Sequence, residues 1–312
     1  LPVLAVPALA QSGALKAQRI NGRDYVAVSD VARYYNLGKD VSSLKSRGDY
    51  RSAAGALYVE QDSRSARFNG YVHWLSLPVV LAGDKLWMSS VDVLKGLDPV
   101  LRQGRSKTKA TVTTVMLDAG HGGTDRGTSS ASGRVEKEFT LDLSKRVERH
   151  LKEAGIRVLQ TRTSDKTLTL AQRVSMMEAK KPDLFVSLHF NSGGLASGIE
   201  TYALPPTGMG STATTAGTGS EKSPGNAFDE KNVWAAHCIH ESLIDAMRAI
   251  DRGVRRARFH VLRYAICPAV LVEAGFLSNS YDAKKILDPD YRERLAKAIA
   301  AGILKYKKGV ES

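Results

Sequence analysis

Beyond residue 113 short, nearly unbroken apolar runs alternate with stretches of 3.6-residue periodicity, and that alternation leaves few folds open. Residues 114–119, 156–161, 184–190 (LFVSLHF), 199–204, 259–263 and 269–273 read as strands. Residues 136–154, 170–180, 232–250 and 290–306 read as helices, the first with Phe139, Leu143, Val147 and Leu151 along one face. A strand that is apolar at almost every position is covered on both faces. The expected fold is therefore α/β, a mostly parallel twisted sheet flanked by helices on both faces. Ligands of such sheets collect at the carboxyl ends of the strands.

The 312 residues exceed what one such unit needs, and residues 18–100 have a different grammar. Asn21-Gly22 marks a turn before alternating apolar residues, and residues 30–35 then follow helical spacing. The same order returns at residues 83–88 and 91–95, whereas residues 42–67 read as polar and irregular. A small α+β N-terminal module is expected here, joined through a basic, Ser/Thr-rich linker over 101–112 to the α/β domain over 113–306. Residues 1–10 are apolar and end in Ala8-Leu9-Ala10, which reads as the tail of a secretory signal or, alternatively, as a buried N-terminal strand. Export to the periplasm, the cell envelope or the medium is expected. A net charge of +13 suits anionic envelope polymers, and no reader motif for nucleic acid accompanies it. No apolar run reaches the length of a membrane span. Cys238 and Cys267 are too few for a disulfide framework and read as two buried thiols, with pairing left open.

Candidate chemistry sits where polar residues end apolar runs. The stretch Asp118-Ala119-Gly120-His121-Gly122-Gly123-Thr124-Asp125-Arg126-Gly127 follows a strand and packs four glycines around one imidazole. It matches neither a dinucleotide fingerprint nor a P-loop. Glu136 opens a helix, and His189 and Glu273 end buried strands, where unpaired polar groups are costly. Two imidazoles and one carboxylate make the ligand set of a catalytic zinc with an open position, and a further carboxylate nearby can act as base. Polar groups that cap strands and neutralise one another are the other reading. His240-Glu241 begins an HExxH pattern without its second imidazole, so His237, His240 and Glu241 read as a surface cluster. Arg252, Arg255, Arg256, Arg258 and Arg263 likewise read as a solvated face.

The blocks DAGHGGTDRG, GRVEK, DLFVSLHFN, GIETYAL and PAVLVEAGFLSN, in this order, strongly resemble the zinc-dependent N-acetylmuramoyl-L-alanine amidases of bacterial cell-wall metabolism. The resemblance implies one Zn2+ bound by His121, Glu136 and His189, with Glu273 as catalytic acid and base and peptidoglycan as substrate. Asp125 then either orients His121 or caps a turn, and Asn191 either contacts substrate or forms a turn. Arg173 reads as a structural ion pair and His260 as a half-buried strand residue. Some relatives block the metal with a helix in the segment equivalent to residues 205–231, which here is rich in Gly, Ser, Thr and Pro and shows no helical period. Residues 18–100 are similar to copper-amine-oxidase-like N-terminal domains, which implies a binding or spacing role and no copper site. A non-catalytic wall-binding protein or a basic nucleic-acid binder are the rival classes, but none of the four site residues is missing.

Overall fold

The structure, a computed structural model, describes residues 15–104, 110–212 and 221–312. The expected signal remnant and residues 105–109 of the expected linker lie outside the described residues. In the N-terminal part, β1 (Ala17–Ile20) and β2 (Arg23–Ala27) form a hairpin followed by the helix Val28–Tyr34. Four strands come next: β3 (Arg47–Ser52), β4 (Gly55–Glu60), β5 (Ser65–Phe68) and β6 (Tyr71–Trp74). The hairpin of β7 (Val80–Ala82) and β8 (Lys85–Ser89) then leads into helical turns through Leu101. Both halves of the sequence echo thus fold as a hairpin followed by a helix.

Residues 42–67, expected to be irregular, contain β3, β4 and the start of β5. Their apolar residues alternate with polar ones, and only Tyr50, Leu57, Val59 and Ala66 turn inward, so the segment looks polar in total while its inner face is apolar.

The remaining strands are β9 (Thr114–Ala119), β10 (Arg157–Gln160), β11 (Leu184–Asn191), β12 (Ile199–Ala203), β13 (Asp251–Arg256) and β14 (Ala269–Phe276). The strand expected at 259–263 is instead one helical turn, His260–Arg263, and the strand precedes it as β13. An arginine-rich run with a central Gly253 carries little strand signal of its own. The sheet runs β10-β9-β11-β14-β12-β13-β6-β5-β4-β3, so strands of the N-terminal module extend the α/β sheet, while β1, β2, β8 and β7 form a separate small sheet. From β10 to β13 every pairing is parallel except β12 with β14.

Helices cover both faces, as the apolar strands require. Val115, Leu117, Val186, Leu188, Val270 and Val272 point to one side, against the helices Glu136–Glu153, Asp229–Met247 and Pro289–Glu311. The alternate residues Met116, Phe185 and Leu271 meet Met177 of the helix Leu170–Lys180 and Val261 and Leu262 on the other side. Cys238 and Cys267 are buried free thiols, and burial pushes Cys267 up to about 12.

The helices Asp229–Met247 and Pro289–Glu311 touch backbone to backbone at Gly302, where an added Cβ would lie 2.5 Å from Ile239 Cα and 2.8 Å from the Cys238 carbonyl oxygen. Alanine in place of glycine ordinarily gains a helix about 1 kcal/mol. Neither backbone atom can swing away, and overpacking costs about 1–3 kcal/mol. Gly302→Ala is therefore expected to lower the urea midpoint, a net loss of about 1 kcal/mol or more; an unchanged or raised midpoint would show that the helices separate freely.

Candidate metal centre

One face of the sheet grades from apolar to polar along its strands. On β9 and β11 the residues below are Met116 and Phe185, and above them on the same face come Asp118, Ser187, His189 and Asn191. Parallel pairing sets Glu273 of β14 opposite His189, and antiparallel pairing sets Glu200 of β12 opposite Glu273. Directly paired residues share a face, so His189, Glu273 and Glu200 stand side by side.

The glycine-rich loop after β9 is held from beneath by two buried arginines. Arg173, on a helix that begins with a Thr169–Gln172 capping box, pairs with Asp118 and donates to the carbonyls of Ala119 at 3.0 Å and His121 at 2.9 Å. Arg162 donates to the carbonyls of Ala119, Gly120 and Lys137, each at 2.9 Å. Asp118 also accepts from Thr161 Oγ1 at 2.7 Å and Ser187 Oγ at 2.8 Å. The structural role expected for Arg173 is present. Arg162 went unnoticed in the sequence, because it follows β10 in a polar stretch that carries no motif. Held in this way, His121 adopts φ +59°, uncommon for a residue with a side chain.

Glu136 is the first residue of its helix, 3% exposed, and both of its oxygens are engaged. Oε1 lies 2.9 Å from His189 Nδ1 and accepts from the Phe190 amide at 3.1 Å; Oε2 lies 3.0 Å from His121 Nε2 and accepts from the Thr128 amide at 3.0 Å. Burial alone would raise this carboxyl, but the two imidazoles outweigh it and hold it at about 2. For His121 burial opposes the charge, and Glu136 and then Asp125 overcome it, so its pKa rises.

His121, Glu136 and His189 offer ligand atoms all within 4.8 Å of one another. Bonds of about 2.0–2.1 Å around a tetrahedral zinc place ligand atoms roughly 3.3 Å apart, and each histidine here stands 2.9–3.0 Å from one oxygen of Glu136. The glycines leave room for this convergence. A Cβ on Gly120 would lie 2.2 Å from the His189 ring, and one on Gly127 would lie 2.5 Å from Glu136 Oε2. Donor chemistry, spacing and cradle all fit a zinc ion. Asp125 Oδ1 stands 2.9 Å from His121 Nδ1 and also accepts from the Gly127 amide at 3.2 Å, so it meets the histidine and closes its own turn.

Glu273 keeps part of its side chain open to the cleft, yet its Oε2 is buried without a hydrogen-bond partner among the described residues. Enclosure by protein, then the carboxylates of Glu136 and Glu200, push its carboxyl well above the usual range. Glu200, unnoticed in the sequence, is 3% exposed and accepts from Asn191 Nδ2 at 2.9 Å and Tyr202 Oη at 2.6 Å. Arg252 and Arg255 reach its Oε1 at 2.8 and 3.1 Å. The arginine run expected to be a solvated face is thus turned partly inward, with Arg256 buried. Its partners come from strands distant in sequence.

His237 and His240 are also buried, contrary to the expected surface cluster. His240 bridges Asp251 Oδ1 at 2.9 Å and Thr201 Oγ1 at 3.1 Å, and His237 Nδ1 meets His73 Nε2 at 3.0 Å. Burial pushes His237 down to about 3. His260 is half-buried as expected but opens a helical turn and not a strand.

Residues 115–305 match the family model of N-acetylmuramoyl-L-alanine amidases. Among relatives, the uncharacterized protein YqiI of Bacillus subtilis is 38% identical over 62% of this chain and 84% of its own length. The N-acetylmuramoyl-L-alanine amidase CwlM of Bacillus licheniformis is 34% identical over 61% of this chain and 66% of its own, and LytC of Bacillus subtilis 33% identical over 62% and 35%. Some of these relatives therefore extend well beyond what this chain covers. Among solved structures, the catalytic domain of the amidase CwlV from Bacillus (Paenibacillus) polymyxa superposes with a TM-score of 0.53 at 35% identity, over 63% of this chain and 99% of that one. The amidase AmiC2 of Nostoc punctiforme gives 0.54 at 29% identity, over 64% and 99%. With the match extending from β9 into the closing helix and enclosing His121, Glu136, His189 and Glu273, the chain belongs to the N-acetylmuramoyl-L-alanine amidase family.

Proposed function

We propose that this protein cleaves the amide between the lactyl carbonyl of N-acetylmuramic acid and the amino group of L-alanine in peptidoglycan, using a zinc ion held by His121, Glu136 and His189. The observation that carries the reading is the convergence of these three side chains beside Glu273 on one sheet face. When bound, zinc supplies Lewis acidity, which acidifies water and polarises an amide carbonyl. Glu136 and the two imidazoles orient one another, so the ligand atoms are in place before any ion arrives. Glu273 takes a proton from the attacking water as the new C–O bond forms, then delivers it to the alanine nitrogen as the C–N bond breaks. Asp125 orients His121, and Asn191, with one amide proton spent on Glu200, keeps the other for a substrate carbonyl.

Peptidoglycan lies in the cell envelope, and the +13 charge favours approach to anionic wall polymers. The signal-like composition of residues 1–10 supports export. No helix among the described residues is long and apolar enough to cross a membrane.

Digestion of purified peptidoglycan is expected to release stem peptides with free L-alanine amino termini, to stop with chelator and to resume with added zinc. Release of reducing sugars instead would identify a glycosidase. Glu273→Gln removes the proton carrier and spares the ligands, so a fall of about 10²–10⁴-fold in turnover at unchanged zinc content is expected; turnover near wild type would remove Glu273 from the reaction. Gly120→Ala drives a methyl group into the His189 ring. Its zinc stoichiometry, read by atomic absorption, is expected to collapse, and full loading would show that the cradle gives way.

A further inference from the structure

Trp74 lies outside the residues matched to the amidase family, yet it touches the arginines that hold the active-site wall. It ends β6, which pairs with β13 through His73 and Val254. The Arg255 guanidinium sits 4.4 Å from the centre of its ring, and its Nε1 donates to the Arg252 carbonyl at 2.9 Å. Between those arginines, Gly253 at φ +93° lets β13 pass directly beneath: a Cβ there would lie 2.7 Å from Val72 Cγ1 and 3.0 Å from Trp74 Cδ1. Both guanidiniums reach the same oxygen, Glu200 Oε1, and Glu200 stands opposite Glu273 in the sheet.

Glu200 attracts both guanidiniums, but the two repel one another and each long side chain carries about 2 kcal/mol of rotamer entropy, so contacts behind the clamp matter. Phe276 of β14 backs Arg252, with the guanidinium 5.0 Å from the centre of its ring. Trp74 adds the aromatic face behind Arg255 and an N–H on the Arg252 backbone. Glu273 Oε2 has no hydrogen bond of its own among the described residues, and Glu200 is its direct neighbour across β12 and β14. We propose that Trp74 is a positioning residue for the amidase reaction, fixing Arg252 and Arg255 so that Glu200 holds its place beside Glu273. The N-terminal module is thereby part of the catalytic apparatus. This rests on the amidase reading above.

The full-length protein is assayed on a soluble N-acetylmuramoyl peptide. For Trp74→Ala, kcat is expected to fall about ten-fold, within what small misplacements cost, with KM within about two-fold and zinc content unchanged. Trp74→Phe keeps a ring face for Arg255 and is expected to recover kcat to within about three-fold of wild type. Tyr71→Phe removes the 2.8 Å bond to Asp245 across the same junction without touching either arginine, and is expected to keep wild-type kcat. Wild-type kcat in Trp74→Ala, or a fall in Tyr71→Phe as deep as in Trp74→Ala, would overturn the proposal, the latter by showing that any loosening of the junction suffices. If Trp74→Ala does not fold, Arg255→Lys decides. It keeps the charge and loses the planar face, so reduced kcat with zinc retained supports the relay and wild-type kcat overturns it. A wild-type enzyme that releases no stem peptide ends the amidase reading itself, and that result is read before any variant.

Discussion

A single buried carboxylate ties the active site together. Glu136 reaches the loop after β9 through His121, the end of β11 through His189 and Phe190, and the entry to its own helix through the Thr128 amide. Burying an ion costs several kcal/mol unless every lone pair finds a donor, and here two imidazoles and two amides meet two oxygens. Its place at the first residue of a helix helps further, since the helix N-terminus favours negative charge. Such an arrangement is weak evidence for stability but strong evidence for geometry. Removing either histidine would leave a buried charge short of a partner, so the three side chains constrain one another.

That constraint would fail if the glycine-rich loop were free to relax. His121 is held at positive φ, a conformation a loop keeps only when its surroundings insist on it. Arg162 and Arg173 supply the insistence by hydrogen bonding to three successive carbonyls, those of Ala119, Gly120 and His121. Asp118 balances Arg173 within the same buried layer. A charged layer below and a carboxylate above thus fix one imidazole from two sides.

The α/β class and the grouping of His121, Glu136 and His189, with Glu273 paired opposite His189, were legible because each rests on a local signal. His189 and Glu273 interrupt apolar runs, and the glycines around His121 have no role in an ordinary turn. The layer beneath them was not legible. Arg162 and Arg255 sit in polar stretches and Glu200 lies within a strand read as apolar, and only contacts with elements distant in sequence reveal that they are half-buried or buried partners. His237 and His240 misled for the same reason. Two histidines and a glutamate on one helix look solvated until His73 and Asp251 arrive from other elements. Residues 42–67 show the limit of composition, since a strand with one polar face averages to a polar loop.

The continuity of the ten-stranded sheet was equally hidden, and it answers a physical need. Without β6, β13 would be an edge strand at the rim of the α/β sheet, with exposed backbone groups. Pairing with β6 covers that edge, and Asp251 secures the join by accepting from the Val72 amide at 2.9 Å while it pairs with His240. His73 and His237 then pack in the seam, where burial keeps both imidazoles uncharged at neutral pH and spares the junction an unpaired charge. Buried imidazoles and direct hydrogen bonds thus join β6 to β13. A module held in that way transmits position to the next strand, and the next strand carries the arginines.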